Sequence, residues 1–216
     1  MQALVVLHRR PVGESGWLVN ALCERDGHRL LLAPRRQTVQ LHQIYRGAWQ
    51  AEQDWPRLVL AEPEHIFVLT ENALFCASYL NELLIRLLPQ GEALPGMYQR
   101  YIRTLAALSG QQAAEPWLRM FEYQLLSDLG FGFHWHLDTK GDAIRASERY
   151  CFDPQSGFAP TGDSGGFPGE VLLAIHQGQL RLPELRVAKH ILRQALSEWL
   201  AQPLNSRRLF DLPADV

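Results

Sequence analysis

The first 64 residues alternate between short apolar segments and polar turns, a pattern typical of β-strands. Residues 3–7, 17–23, 28–33 and 55–61 are rich in β-branched, aliphatic and aromatic side chains, and a more polar segment lies within residues 35–51. Asp26-Gly27 separates two of these segments and is a hairpin turn signal. About five short strands with no intervening helix predict a small closed or half-closed barrel.

After residue 64 the hydrophobic period changes to that of helices. Leu80, Leu83 and Leu84 share one face of the first predicted helix, which Pro89 ends. The sequence predicts helices over residues 72–88, 97–108, 116–129, 170–176 and 183–201. Residues 131–160 show no regular period, and residues 161–169 read as a Gly-rich linker.

Strands followed by helices predict an α+β fold with two domains. The expected domains are a β-barrel of residues 1–64 and a mainly α-helical domain of residues 65–216. An irregular insertion at about residues 131–168 interrupts the helical domain.

Charge constrains the partners of this chain. Its 216 residues carry 21 Lys and Arg against 23 Asp and Glu, a formal net charge of −2. That balance argues mildly against a non-specific nucleic-acid binder, because phosphate contacts dominate such binding. The distribution is uneven, however, since residues 181–210 hold six cations and only two acids. Nearly all cations are arginines, which bind phosphates and carboxylates through paired hydrogen bonds.

Three cations of the last predicted helix form a stripe. Arg186, Lys189 and Arg193 are spaced by three and four residues and so share one helix face. Taken alone, this pattern favours a solvated face over a phosphate- or carboxylate-binding surface.

The predicted barrel has residues suited to single-stranded nucleic acid, which small barrels bind through aromatic side chains and a basic groove. The candidate DNA contacts are Arg9, Arg10, Arg35, Arg36 and Arg46, together with Arg207 and Arg208 of the basic tail. The aromatic candidates are Trp17, Tyr45, Trp49 and Trp55. For any one of the tryptophans, a place in the core or at a strand edge is favoured.

Arg119 is the sharpest local feature of the helical region. It lies beside an apolar stripe that includes Leu118, Phe121 and Leu125. An arginine at the edge of an apolar groove can clamp a carboxylate, including the C-terminus of a peptide. An ion pair with an acid of the same helix, Glu115 or Glu122, is an equally good interpretation.

Enzyme chemistry has little support. The sequence holds no nucleophile elbow, dinucleotide-binding glycine motif or Walker loop. His134, His136 and Cys151 are residue types that bind zinc, but a fourth ligand and a Cys-x-x-Cys pair are missing, so a polar hairpin is favoured. No cofactor is predicted. No apolar run reaches 18 residues, so we expect no membrane span and a cytoplasmic protein.

Several stretches together resemble one family. They are HRRPVGES at residues 8–15, YLNELLIRLL at 79–88, LRMFE at 118–122, the segment 125–132 and PLNSRRLF at 203–210. They occur in the right order over nearly the whole chain, which therefore resembles the RecO family of bacterial recombination mediators. The Tyr-Leu-Asn-Glu-Leu-Leu segment and the closing Ser-Arg motif are the most specific of these stretches.

This resemblance implies an N-terminal OB-fold, a helical C-terminal domain and no enzyme activity. RecO-like proteins bind single- and double-stranded DNA and anneal complementary strands coated by single-stranded DNA-binding protein. They act with RecR, and in some pathways RecF, to load RecA, in the cytoplasm and at the nucleoid during repair. They contact the acidic, Phe-ending tail of the single-stranded DNA-binding protein through the helical domain.

The resemblance also assigns residues to the partner peptide. The arginine of the family's Leu-Arg-x-Phe-Glu motif falls on Arg119. The basic stripe of Arg186, Lys189 and Arg193 matches the family pattern and extends that site or touches DNA.

Three departures from the family pattern bear on DNA binding, and one of them is the slightly acidic overall charge given above. The basic loop after the third strand is shorter than in many relatives and retains only Arg35-Arg36. The four-cysteine zinc module of some relatives is absent, and residues 138–141 stand where its first pair is expected.

A mediator that binds and anneals DNA is the first hypothesis, because the predicted barrel carries arginines and the resemblance covers nearly the whole chain. A protein-binding adaptor with weak intrinsic DNA binding is the second, and a hydrolase or metal enzyme is a distant third.

Overall fold

The computed structural model of the chain describes residues 1–13, 16–37, 39–51, 55–110, 112–162 and 165–206. The chain divides into two compact units. We call Met1–Ala114 with Leu204–Val216 the barrel unit, and Glu115–Pro203 the helical unit. The predicted boundary at residue 64 lies within the last strand of the barrel, which ends at Ile66, and the barrel unit also includes the two helices that follow the strands.

The barrel unit is built on a closed sheet, as the sequence predicts. The strands are β1 (Gln2–Val12), β2 (Gly16–Cys23), β3 (Gly27–Pro34), β4 (Gln43–Gln50) and β5 (Arg57–Ile66). Their order around the barrel is β1-β2-β3-β5-β4, which closes as β4 pairs with β1 and is the strand order of an OB-fold. The α+β prediction is confirmed.

Alternation along the strands fills the barrel with apolar side chains. Leu4, Val6, Val19, Ala21 and Leu31 lie in its core with no exposed surface. The predicted hairpin turn at Asp26 and Gly27 joins β2 to β3. Gly27 takes a φ of 66°, a backbone conformation that would strain a residue with a side chain. The pairing of β3 with β5 is confined, in the described residues, to Leu32 and Arg57, so the barrel closes narrowly at this point.

Two helices complete the barrel unit, α1 (Glu71–Leu87) and α2 (Met97–Ser109). Both agree with the predicted helices to within a residue at each end. The apolar face of α1, including Leu80, Leu83 and Leu84, is fully buried, and α1 packs on β1. No helix in the described part of the chain is long and apolar enough to cross a membrane.

A hydrogen bond from α1 accommodates an irregularity in β1. The pairing register of β1 with β2 shifts between Val6 and His8, so Leu7 is skipped in the ladder. The buried amide of Asn81 donates from Nδ2 to the Leu7 carbonyl over 2.8 Å. The Tyr101 hydroxyl in turn donates to Asn81 Oδ1. The side chain of Asn81 therefore links the barrel to both helices.

Glu82, the next residue of α1, accepts hydrogen bonds from Asn205 and Ser206, which lie near the C-terminus. Glu82 Oε2 accepts hydrogen bonds from the Ser206 amide at 2.8 Å and the Ser206 hydroxyl at 2.6 Å. Its Oε1 accepts from the Asn205 amide at 2.9 Å and pairs with Arg86 at 2.6 Å. Burial alone would raise the pKa of the Glu82 carboxyl, but the hydrogen bonds from Ser206 and Asn205 and the charge of Arg86 hold that pKa below its usual value.

The helical unit contains α3 (Ala114–Asp128, whose first residue belongs to the barrel unit), α4 (Gly169–His176) and α5 (Leu182–Trp199). The segment predicted to be irregular instead includes a small sheet of order β7-β6-β8, with β6 (Arg149–Asp153), β7 (Gly157–Thr161) and β8 (Phe167–Pro168). An aromatic cluster explains how so short a sheet is held. Phe133, Trp135 and Phe158 are buried with ring centroids 4.9 to 5.8 Å apart.

Replacing Asn81 tests the link between the barrel and its helices. The Asn81→Leu variant keeps the side-chain volume but leaves the buried Leu7 carbonyl without this donor, so we expect the free energy of unfolding to fall by roughly 1–3 kcal/mol. Urea denaturation measures this change. Asn72→Leu, an exposed position on the same helix, is the matched control and should change stability by less than about 0.5 kcal/mol. Equal stability of the two variants would contradict this role.

Candidate nucleic-acid and peptide-binding surfaces

Three of the predicted DNA-binding arginines gather at one end of the barrel. In the sheet register, Arg10 of β1 faces Leu18 of β2, which faces Leu32 of β3. Arg35 and Arg36 follow β3 directly, so they lie toward the same end as Arg10. All three side chains are exposed. This end of the barrel is therefore suited to bind a polyanion.

Arg9 is engaged within the barrel unit itself. Its Nη1 donates to the Val39 carbonyl over 2.5 Å, and its guanidinium carbon lies 4.8 Å from the centroid of the Trp17 ring. This cation–π contact and hydrogen bond hold the side chain against the barrel surface. Arg9 therefore contributes positive charge at this end but has fewer free donors for phosphate.

Arg46 lies away from this cluster. It pairs across the ladder with Ala3, near the other end of β1, and the seven residue steps from Ala3 to Arg10 span about 23 Å of strand. Its Nε also forms a 2.6 Å ion pair with Glu64. The position and the paired acid both make Arg46 a weak candidate for the same DNA contact. Arg207 and Arg208 lie outside the described residues.

The aromatic candidates of the barrel are largely structural, as favoured from the sequence. Tyr45 is only 2% exposed and lies in the barrel core, where its hydroxyl donates to Gln43 Oε1. Trp17 and Trp49 are partly buried and pack against that core. Trp49 also lines a polar cavity of about 270 Å³ with Gln2, Arg25 and Asp26.

Arg119 lines a groove in the helical unit. The groove lies between α3, α5 and the end of α4 and encloses about 220 Å³. Most of its surface is apolar, and its polar members include Arg119 and His176. The other lining residues are Met120, Tyr123, Trp135, Ile175, Gly178, Leu180, Ala188 and Leu192.

The Arg119 side chain is 8% exposed and forms a 2.7 Å ion pair with Glu122, whose side chain is 1% exposed. Glu122 is therefore the intrahelical acid that pairs with Arg119. The other predicted partner, Glu115, pairs with Lys189 of α5 at 3.3 Å. Nε and Nη1 of Arg119 are buried without a hydrogen-bond partner. The ion pair fixes the guanidinium in the wall of the groove, and the two unpaired donors lie beneath its surface.

The predicted basic stripe runs along α5. Arg186 and Arg193 are exposed, and Lys189 is half-buried beside the start of α3, one helical turn from Arg119. Ala188 and Leu192 of the same helix line the groove. Lys189 follows Ala188 directly, so the stripe lies on the same helix as this wall of the groove.

The histidine and cysteine candidates do not form a metal site in the described part of the chain, where no group of three His, Cys, Asp or Glu side chains is arranged to hold a metal ion. Cys151 is exposed, and its thiol lies 3.4 Å from the Ala159 carbonyl. His134 and His136 lie with ring centroids 5.8 Å apart. The structure therefore adds no support to the metal-enzyme hypothesis.

Comparisons with known proteins decide the family. The family model described as "Recombination protein O C terminal" matches residues 71–208. The DNA repair protein RecO of Stutzerimonas stutzeri is 38% identical over 97% of this chain and 92% of its own length. Proteins of the same name from Pseudomonas aeruginosa and Actinobacillus pleuropneumoniae are 36% and 33% identical over 97% and 95% of this chain, and over 94% and 92% of their own lengths.

The chain belongs to the RecO family. The two stretches of sequence that are most specific to the RecO family meet in the barrel unit. The Tyr-Leu-Asn-Glu-Leu-Leu segment supplies Asn81 and Glu82, and the closing motif supplies Asn205 and Ser206, which donate to Glu82. These motifs therefore serve the packing of the fold, and the closing motif also leads directly into Arg207 and Arg208, two of the predicted DNA contacts.

Sequence reasoning missed most of the groove around Arg119 in this RecO chain. Trp135 and His176 come from segments on either side of the small sheet, and no single helix period brings them together with Met120. The sequence held one hint, since Met120 is an apolar residue outside the apolar stripe of its helix. In the structure Met120 is 55% exposed.

The buried ion pair can be tested by a double-mutant cycle. Arg119→Leu leaves the Glu122 carboxylate buried without its guanidinium, so we expect a loss of roughly 3–5 kcal/mol in the free energy of unfolding. The double variant Arg119→Leu/Glu122→Leu removes both charges and should recover roughly 1–3 kcal/mol of that loss. Urea denaturation of the two single variants and the double variant measures the coupling. Additive losses would contradict a tight pair.

Proposed function

We propose that this protein is a recombination mediator in DNA repair. In this role it binds single- and double-stranded DNA, anneals complementary strands and binds the C-terminal tail of single-stranded DNA-binding protein. It then helps to load RecA together with RecR and, in some pathways, RecF. The observation that carries the proposal is membership of the RecO family over nearly the whole chain, in a molecule with two separate surfaces suited to anions. The role involves no covalent chemistry.

The DNA surface is the end of the barrel that bears Arg10, Arg35 and Arg36. Arg10 lies near the end of β1, and Arg35 and Arg36 follow the end of β3, so one strand of phosphates can contact all three exposed side chains. Because each contact releases counterions, the interaction should be strongly salt dependent.

The tail surface is the groove beside Arg119. Its apolar walls suit an aromatic side chain, and the guanidinium of Arg119 suits the adjoining carboxylate. Lys189, Arg186 and Arg193 on α5 suit the acidic residues that precede the terminal Phe. This division of contacts supports a peptide that is acidic, ends in an aromatic residue and has a free carboxyl group.

The alternative function is a protein-binding adaptor with weak intrinsic DNA binding. One observation favours it, since Arg9 and Arg46 are both engaged by neighbours within the barrel unit. The net charge of −2 points the same way. In this case partners such as RecR would supply most of the DNA affinity.

Fluorescence anisotropy with a labelled single strand distinguishes these functions. For the mediator we expect tight binding at low salt, with log K falling linearly against log salt. The triple variant Arg10→Ala/Arg35→Ala/Arg36→Ala should reduce that slope by roughly 2, at about 0.7 per phosphate contact on a single strand. Arg46→Ala is the matched control and should leave the slope nearly unchanged. Weak, salt-insensitive binding by the unmodified protein would favour the adaptor.

A second prediction concerns the tail. An acidic peptide that ends in Phe with a free carboxyl should bind the unmodified protein, and its amidated form should bind roughly tenfold more weakly, since a charge-assisted hydrogen bond contributes roughly 1.5–3 kcal/mol. The double variant Arg119→Leu/Glu122→Leu should bind both forms with equal, weak affinity. Isothermal titration calorimetry measures the dissociation constants.

The control for this experiment is Arg145→Leu, which removes a largely exposed arginine of the helical unit that does not line the groove. Retention of the full difference between free and amidated peptides in the double variant would refute the role of Arg119. Met120→Glu provides a second variant at an exposed groove position and should weaken the binding of the acidic peptide without loss of stability.

A further inference from the structure

Arg9 and Trp17 lie together on the inner face of the barrel sheet, toward the end that bears Arg10. Arg9 of β1 is directly opposite Val19 of β2, whose side chain lies in the barrel core. Trp17 is two residues from Val19 on the same strand, so the side chains of Arg9 and Trp17 share a face and are diagonal neighbours. The guanidinium carbon of Arg9 lies over the Trp17 ring, 4.8 Å from its centroid.

Two contacts hold the Arg9 guanidinium in place before any ligand arrives. Its Nη1 donates to the carbonyl of Val39, a core residue that is only 1% exposed. The cation–π contact with Trp17 restrains the group from a second side. Arg9 and Trp17 are both only half-buried, so the pair reaches the protein surface. A ligand therefore meets a guanidinium whose rotamer freedom has already been lost on folding.

A guanidinium held in this way suits a flat ring better than a phosphate. It is planar and delocalised and stacks on aromatic rings, whereas it binds a phosphate best through two parallel hydrogen bonds. One nitrogen of Arg9 is already engaged by Val39, so phosphate binding is weakened while the plane of the group is kept. Nucleobases stack on arginine planes as well as on aromatic side chains. The chemistry of Arg9 therefore favours a base over the backbone of a nucleic acid.

The pair lies beside the three exposed arginines of the proposed DNA surface. Arg10 follows Arg9 directly in β1, and successive residues of a strand point to opposite faces of the sheet. Arg35 and Arg36 follow the end of β3 and lie toward the same end of the barrel. A single strand whose phosphates contact these three arginines can therefore turn a base toward Arg9. In a duplex, both faces of each internal base are covered by its neighbours, so only an unpaired base can stack here.

We propose that the Arg9 guanidinium, held over the Trp17 ring, is a stacking plane for one unpaired base of single-stranded DNA. Arg9 is then a specificity-determining residue, because it favours single strands, whereas the three exposed arginines bind the phosphates of either form. This inference rests on the proposed DNA binding at this end of the barrel and adds the part of the strand that is recognised. Stacking needs no particular hydrogen-bonding pattern, so the site accepts every base.

The experiment is a fluorescence anisotropy titration of the full chain with three labelled DNAs of equal length at low salt. They are a single strand with all its bases, the same strand with stable abasic sites throughout, and a duplex. We expect the unmodified protein to bind the strand with bases roughly fivefold to a hundredfold more tightly than the abasic strand, the range that stacking of one base gives. Arg9→Lys keeps the charge but removes the plane, so it should lose most of this difference and bind the abasic strand and the duplex as before.

The salt dependence separates stacking from charge. Arg9→Lys should keep the slope of log K against log salt, since that slope counts phosphate contacts. Arg10→Ala is the contrasting variant and should lower both the slope and the affinity for all three DNAs. The matched control is Arg46→Lys, which changes an exposed arginine near the other end of β1 and should leave the three affinities unchanged.

Two variants of Trp17 distinguish stacking from a merely structural role of the pair. Trp17→Phe keeps an aromatic ring beneath the guanidinium and should retain most of the preference for the strand with bases. Trp17→Leu removes the ring and should lose most of that preference. A destabilised barrel would weaken the binding of all three DNAs together, whereas loss of the stacking plane weakens only the binding of the strand with bases. Thermal unfolding of each variant measures its stability.

Three results would overturn the inference. They are equal affinities of the unmodified protein for the strands with and without bases, an undiminished difference between these strands in Arg9→Lys, and a uniform loss of affinity for all three DNAs in Arg9→Lys. Each of them leaves the proposed DNA binding intact. Failure of the unmodified protein to bind any of the three DNAs at low salt would instead refute both the DNA binding and the stacking site.

Discussion

The hydrogen bond from Asn81 to the Leu7 carbonyl is the contact on which the barrel unit depends. β1 must pair with β2 and also with β4 to close the barrel, and the register shift at Leu7 leaves one buried carbonyl outside the ladder. An apolar helix packed on that strand would leave this carbonyl unsatisfied, at a cost of roughly 1–3 kcal/mol. Asn81 supplies the donor, and its neighbour Glu82 binds the chain near the C-terminus. One turn of α1 therefore joins the barrel, α2 and the C-terminal segment.

The helical unit depends on a different buried polar contact. An arginine and a glutamate are removed from water together at Arg119 and Glu122, and a buried pair of this kind adds little stability compared with apolar residues of the same size. Its value lies in the fixed position of the guanidinium. Because Glu122 holds one nitrogen, the guanidinium keeps a fixed position in the wall of the groove, where its buried Nε and Nη1 have no hydrogen-bond partner.

The sequence predicts the barrel and the helices well because their periods are strong and their ends are marked. Alternation in the strands, Asp26-Gly27 at the hairpin and Pro89 after α1 are local signals that agree with the final packing. The small sheet over residues 149–168 was missed because its strands are very short and its aromatic residues are buried from several directions at once. The candidate site was found only in part. Arg119 stood out as a charge within an apolar helix, but His176 and Trp135 reach the groove through tertiary contacts that no local period reports.

The location of charge reconciles a net charge of −2 with the two proposed anion-binding surfaces. Bulk charge describes the long-range field, whereas binding depends on the few cations within about 10 Å of the ligand at ordinary salt. Arg46 illustrates the difference, because Glu64 neutralises it and it counts in the composition without adding to a binding surface. Arg10, Arg35 and Arg36 are instead exposed at one end of the barrel, and Arg119 retains free donors despite its ion pair. Each surface therefore presents local positive charge, while acids elsewhere in the chain set the overall balance. The composition alone underestimates both surfaces, since it weighs paired and unpaired arginines equally.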